Sequence, residues 1–247
     1  MADAIRSVRI GDQEFALDEW SHWPLYTTVE AARSTVAAPV SVSLRGFSYI
    51  VGQTVPKAGN LPQRTATVAD TNQATRARIN RDEAYICFAM TYEMFALEAS
   101  NGTFDNNSSY PPPTPQDEEA AQPLLTGTNL RMMQMQLMLE LFLGANITKP
   151  MASAPLSWYG QSAGTWVSGA GDAVTIANGA AAAINLNYGT AGMLSADNQR
   201  RWILPVEINS DTPMYSKLSS PLGVLDVDQD WRMRQYLDGL KRRPVIA

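Results

Sequence analysis

Residues 130–143, LRMMQMQLMLELFL, restrict the possible folds more than any other stretch of the chain. Read with a period of two, Met133, Met135, Leu137, Leu139, Leu141 and Leu143 share one face, opposite Met132, Gln134, Gln136, Met138, Glu140 and Phe142. Successive side chains of a strand point to opposite faces, so the spacing predicts a long strand with one wholly apolar side. A helix competes for the same residues, because Met, Leu, Gln and Glu favour helices and Gly144 could cap one. Wrapped on a helix, however, the apolar positions leave no polar stripe, and the expectation is a strand. The stretch is also too short and too polar to cross a bilayer, which takes about 20 apolar residues.

A second long alternation occupies residues 83–97, with Ala84, Ile86, Phe88, Met90, Tyr92, Met94 and Ala96 on one face. Strands usually run to ~3–10 residues, so a bend or bulge is expected in this one. Shorter β-prone segments surround these two. Residues 7–17 read as a hairpin turning at Gly11-Asp12, and Trp20, Trp23 and Tyr26 as an aromatic cluster sealing an edge of the core. Val40, Val42 and Leu44 alternate and are expected to re-phase past Gly46 to Phe47, Tyr49 and Val51. Later come Trp202, Leu204, Val206 and Ile208, then residues 214–218, 224–228 and 231–237. Residues 160–192, rich in Gly and Ala, supply only short candidate strands, and residues 195–200 a helical turn capped by Ser195.

Between the two long alternations the composition changes. Residues 100–122, SNGTFDNNSSYPPPTPQDEEAAQ, lack periodicity, and their Pro, Ser and Asn content favours an extended linker. The expected division is therefore residues 1–100, a linker or long loop at 101–122, and residues 123–247. Many short strands separated by turns indicate an all-β chain of sandwiches or jelly rolls.

Hydrophobic residues make up 45% and charged residues 17% of the 247, as in a folded protein rather than a disordered one. The net charge of −5 disfavours a dedicated nucleic-acid binder. Cys87 stands alone, which excludes an internal disulfide and any multi-thiolate site, and its apolar setting predicts a buried thiol. His22 is the only histidine, so multi-histidine metal sites are excluded and a Ser-His-Asp device would have to use it. The chain contains no GxxxxGK[ST] loop, no GxGxxG before a helix and no nucleophile elbow. Asp226, Asp228 and Asp230 alternate without the glycine and distal glutamate of a calcium loop, and read as an acidic strand edge that resists pairing. Carboxylate pairs for glycoside hydrolysis are not placed by spacing alone. The expectation is a protein that is not an enzyme, with no catalytic, cofactor-binding or metal-ligating residue. Residues 1–20 mix acids with Arg6 and Arg9 and hold no apolar signal segment, so synthesis in a reducing cytoplasm is expected.

The C-terminal phrase LPVEINSDTPMYSKLSSPLGVLDVDQDWRMRQYLDGLKRRPV alternates strand, turn and strand and closes on an aliphatic-Asp-Gly-xxx-Arg-Pro-Val cadence. It resembles the end of viral jelly-roll capsid proteins. The whole chain resembles the small double jelly-roll major capsid proteins of tailless, icosahedral phages with an internal membrane. That resemblance implies two jelly-roll β-sandwiches joined by the Pro/Ser/Asn-rich linker, the first from residues 1–100 and the second from residues 123–247. It implies trimers forming pseudo-hexagonal capsomers, with neighbouring capsomers, vertex proteins and minor capsid proteins as partners in the virion. Host-cytoplasmic synthesis, no cofactor and no specific nucleic-acid recognition complete the picture. Basic residues near the termini, Arg6, Arg9, Lys241, Arg242 and Arg243, would face the internal viral membrane. Two further readings stand beside it. One is a carbohydrate-binding or receptor-binding β-sandwich of a phage, with Trp158, Tyr159, Trp166 and Tyr188 as its aromatics. The weaker is a glycoside hydrolase of jelly-roll type.

Overall fold

The computed structural model describes residues 7–10, 13–16, 19–34, 38–80, 83–97, 127–144, 149–159, 165–169, 174–175, 181–182, 186–190, 201–210, 212–225, 227 and 229–242. Eight strands make its framework: β1 (Leu25–Ala31), β2 (Ser41–Gly46), β3 (Ala84–Leu97), β4 (Met138–Leu143), β5 (Ala152–Pro155), β6 (Arg201–Asn209), β7 (Met214–Val224) and β8 (Asp230–Arg242). One sheet has the order β1-β8-β3-β6, extended by the short strands Trp20–His22 and Lys57–Ala58. The other has the order β2-β7-β4-β5. All neighbours within the framework are antiparallel. Every connection except β4 to β5 passes from one sheet to the other, which is the connectivity of a jelly roll.

The all-β expectation is met, but the expected division does not separate these sheets. Strand β3, from residues 1–100, lies between β6 and β8, and β7 lies between β2 and β4. Both halves of the chain thus contribute to the same two layers. Residues 101–122 and the turn expected at 195–200 lie outside the described residues.

Two ends follow from this connectivity. At the first, the β1–β2 and β7–β8 connections meet, with the Ser34 N–H donating to the Val227 carbonyl at 2.7 Å. At the second, Gly144 N–H donates to Pro213 O at 2.9 Å and Met214 N–H to Ala77 O at 2.8 Å, which joins the β4–β5, β6–β7 and β2–β3 connections.

The stretch that constrained the sequence reading is half helix and half strand. Helix α1 spans Gly127–Gln136, Leu137 N–H closes its last turn on Met133 O at 3.0 Å, and β4 follows. Met133 and Leu137 are one helical turn apart, so both reach the core, whereas Met135 is turned into solvent at 67% exposure. Leu139 and Leu141 continue into the core from β4. The all-strand expectation fails over 130–136 because a four-residue spacing of buried positions satisfies either period. The expected bulge in residues 83–97 is present. Asp238 pairs with Ala89 and Gly239 with Cys87, leaving Phe88 extra, so Tyr85 and Cys87 face the core before it and Met90, Tyr92 and Met94 after it. The opposing residue has to be glycine, since a Cβ on Gly239 would stand 2.1 Å from the Ile86 carbonyl oxygen. Strand β8 therefore runs on through Asp238-Gly239, past the end at residue 237 that the alternation suggested. Past Gly46 the strand ends in a bend at Phe47, with φ at 55°; Phe47 and Tyr49 are buried as the re-phasing expects, whereas Val51 is exposed.

Trp231, Tyr85, Tyr92, Phe47, Leu139 and Met214 are fully buried between the sheets. Each such side chain is worth roughly 1.5–3 kcal/mol of transfer free energy. A polar group sits among them: the Ser216 hydroxyl donates to Gln235 Oε1 inside the core.

Candidate interaction surfaces

The outer face of the β1-β8-β3-β6 sheet is made by alternate residues of β1 and β8 that point away from the core. Among them are Tyr26, Thr28 and Glu30, and Arg232, Arg234 and Tyr236. Residues 47–80, the β2–β3 connection, lie across it. Arg64 reaches Asp70 with two nitrogens at 2.8 and 2.6 Å, and donates from Nε to Glu30 Oε1 at 2.8 Å. Arg232 Nε donates to the same Glu30 oxygen at 2.9 Å. Glu30 is only 2% exposed, so this is a desolvated network. Burial pushes the Asp70 carboxyl up, but the Arg64 hydrogen bonds and the Thr67 N–H overcome it and hold the pKa at about 2. Burial lowers Arg232, with Glu30 opposing it. Tyr49 joins the clamp: its hydroxyl accepts from Thr28 N–H at 2.9 Å and donates to Thr28 O at 2.7 Å, and burial raises it to about 12.

Beyond the clamp, Tyr236 donates to Glu93 at 2.5 Å, and the Arg234 guanidinium lies 5.8 Å from the Tyr26 ring centre and 5.7 Å from that of Phe95. A hollow of about 480 Å³ opens beside Tyr26, lined also by Ile50, Val51, Val68 and residues 71–74. Its polar neighbours are largely satisfied: Tyr26 donates to Val68 O at 2.5 Å, and Asn72 both accepts from Tyr26 N–H and donates to Pro24 O. The Gln73 amide is buried behind it with no partner among the described residues.

The outer face of the β2-β7-β4-β5 sheet is lighter. Phe142 stacks on Tyr215 at 4.8 Å, Arg45 lies over Tyr215, and Lys217 faces Glu140 at 3.9 Å. The second, more mixed face of residues 130–143 is thus buried at Phe142 and carries Glu140 in its strand half.

The residues singled out from sequence are dispersed. Cys87 is buried, and burial pushes its thiol well up. His22 Nε2 bonds Asp238 at 2.5 Å where the Trp20–His22 strand joins β8. Lys241 pairs with Glu83 at 2.9 Å and Arg242 with Glu19 at 3.6 Å, so part of the expected basic patch is already neutralised. Arg6 and Arg243 lie outside the described residues, and Arg9 is described only as a strand position. Of the aromatics expected to line a carbohydrate site, Trp158 is 53% exposed, but Tyr159 is buried and donates to Leu139 O at 3.0 Å. Trp166 and Tyr188 sit on paired strands, opposite Gly189 and Val167. Asp230 is buried and accepts the Arg33 N–H at 2.7 Å, a closing contact between the β1–β2 loop and β8. Asp226 and Asp228 lie outside the described residues, and no cluster of three metal-ligating side chains occurs among the described ones.

Sequence reasoning missed the Glu30–Arg64–Asp70–Arg232 network, whose members are spread over residues 30–232 and carry no shared spacing. No helix among the described residues is long and apolar enough to cross a membrane. The chain matches no protein-family model, no curated protein and no solved structure.

Proposed function

We propose that this chain is a viral structural protein, a major capsid protein that works by self-association into an icosahedral shell. The observation that carries the reading is the strand order β1-β8-β3-β6 against β2-β7-β4-β5, a jelly roll assembled from both halves of the chain. Jelly rolls recur in capsid and lectin domains, so the fold supports the reading by analogy. A chain carrying two rolls reaches a pseudo-hexagonal capsomer as a trimer. One sandwich per chain needs six copies to present the same number of rolls. Vertex proteins, minor capsid proteins and an internal membrane remain proposed partners of the assembled virion, the membrane through whatever basic residues Glu19 and Glu83 leave unpaired.

Light scattering and negative-stain microscopy of the purified chain test the proposal. Regular particles or ring-shaped capsomers are expected, and the mass of the capsomer distinguishes three copies from six. A stable monomer at high concentration, together with specific hits on a glycan array that depend on Trp158, would favour the carbohydrate-binding reading instead.

A further inference from the structure

The hollow beside Tyr26 holds an unmet polar group. Gln73 lines it and is 4% exposed, yet neither its amide oxygen nor its amide nitrogen has a hydrogen-bond partner among the described residues. Buried polar groups without partners are scarce, because each forfeits the hydration it had in the unfolded chain. The backbone cannot move away to relieve this one. Gln73 N–H donates to Thr71 Oγ1 at 3.2 Å, and Thr71 bridges to Thr27 of β1. Asn72 accepts the Tyr26 N–H at 2.9 Å and donates to Pro24 O at 2.7 Å. Residues 71–73 are thus pinned to β1, and Gln73 is held at the hollow whether or not anything fills it. The terminal torsion of a glutamine is soft, so the amide itself can still turn to meet a ligand.

Size, charge and hydrogen-bonding pattern select the occupant. About 480 Å³ falls within the ~300–1,000 Å³ of small-molecule sites. None of the described residues that line the hollow is charged. Asp70, between two lining residues, pairs with Arg64, and Arg234, beside the Tyr26 ring, pairs with Glu93, so a neutral ligand is favoured. Ile50, Val51 and Val68 offer apolar walls, whereas Gln73 offers a donor and an acceptor on one edge. A primary carboxamide or a lactam presents the complementary acceptor and donor side by side. A trans peptide group points them in opposite directions and meets only half of the Gln73 amide at a time. We propose that the hollow binds a small neutral molecule carrying a carboxamide or lactam edge on an apolar body, with that edge paired to Gln73 and the body against Ile50, Val51 and Val68.

Titration of the isotope-labelled chain with benzamide, and separately with N,N-dimethylbenzamide and toluene, tests the site by NMR. The Gln73 side-chain amide signals should shift and saturate with benzamide. Its Kd should lie about tenfold or more below that of N,N-dimethylbenzamide, which has no N–H to donate. Gln73→Met keeps the length of the side chain and removes both polar atoms. Its melting temperature should not fall, since no bond within the chain is lost, and toluene should bind it at least as tightly as benzamide does. Equal affinity of the two amides for the unaltered chain, or shifts that leave Gln73 untouched, would overturn the proposal. So would a sharp drop in the melting of Gln73→Met, which would reveal a partner for the amide inside the protein. A fixed water on that amide which benzamide does not displace would overturn it as well. None of these outcomes touches the capsid reading, which rests on association between chains.

Discussion

On the outer face of the β1-β8-β3-β6 sheet, Glu30 is 2% exposed and two guanidiniums converge on one of its oxygens. On the outer face of the β2-β7-β4-β5 sheet, Glu140 and Lys217 face each other at 3.9 Å with both side chains partly in water. The first face is sealed by the chain's own residues 47–80, and its charges are fixed by multiple hydrogen bonds. The second carries charge that water can screen. The first face also holds more ion pairs, but a count of pairs says little about what each is worth. Burial and hydrogen-bond geometry separate them, because a desolvated charge depends on its partner while a solvated one does not.

The sharpest way to break this comparison is Glu30→Ala. It would leave Arg64 with Asp70 alone and take the Glu30 carboxylate away from Arg232 in a largely buried setting. Removing one member of a buried ionic group costs about 3–5 kcal/mol. At about 2–4 °C per kcal/mol for a chain of this size, melting should fall by roughly 6–20 °C. If calorimetry shows Glu30→Ala no more harmful than Glu140→Ala, the distinction between the faces is lost.

Asp70 gives the pH form of the same argument. Its pKa in the folded chain is about 2, below the ordinary 3.8, so its contribution is present above the ordinary value and lost as pH falls through about 4 towards 2. The gap corresponds to about 2 kcal/mol. Urea unfolding of the unaltered chain and Asp70→Asn should differ by about that much at pH 7 and converge near pH 2. A gap that persists undiminished at pH 2 would show that ionisation of Asp70 is not what holds residues 47–80 down. Tyr49→Phe tests the clamp without charge. It removes a hydroxyl that both accepts from and donates to Thr28, at a cost of roughly 1–2 kcal/mol, visible as faster hydrogen exchange at the Thr28 amide.

How much of this could be read from the chain differs between elements. Alternation identified residues 83–97 and 201–209 as strands, because a half-buried strand writes its period into its own sequence. It did not identify their partners. Strand β3 pairs with residues more than a hundred positions away on both sides, and nothing local in AYICFAMTYEMFAL encodes which neighbour it takes. Strand candidates on either side of residues 100–122 therefore looked like two rolls, whereas among the described residues strands from both sides interleave in the same two sheets. The helix at 127–136 was hidden because Met133 and Leu137 fit periods of both two and four. The excursion at 220–223 was hidden for a different reason: Pro221 and Gly223 suit a turn in any context, and only the register against β2 shows that β7 resumes pairing at Val224.

The smallest expected effect completes the comparison. Lys217 and Glu140 sit opposite each other on β7 and β4, so their side chains share the outer face by register rather than by a tight bond. Their separation of 3.9 Å exceeds a hydrogen bond, and their exposures of 39% and 19% leave the attraction open to solvent. Glu140 also accepts from Ser153 at 3.2 Å, which would keep it partnered after Lys217 is removed. The coupling energy in a double-mutant cycle of Lys217→Ala and Glu140→Ala should be about 0.5 kcal/mol or less and should shrink further in 1 M salt. A coupling above about 1.5 kcal/mol that salt leaves unchanged would mean this face is as dry as its counterpart, and that burial, not the number of hydrogen bonds, had been misjudged there.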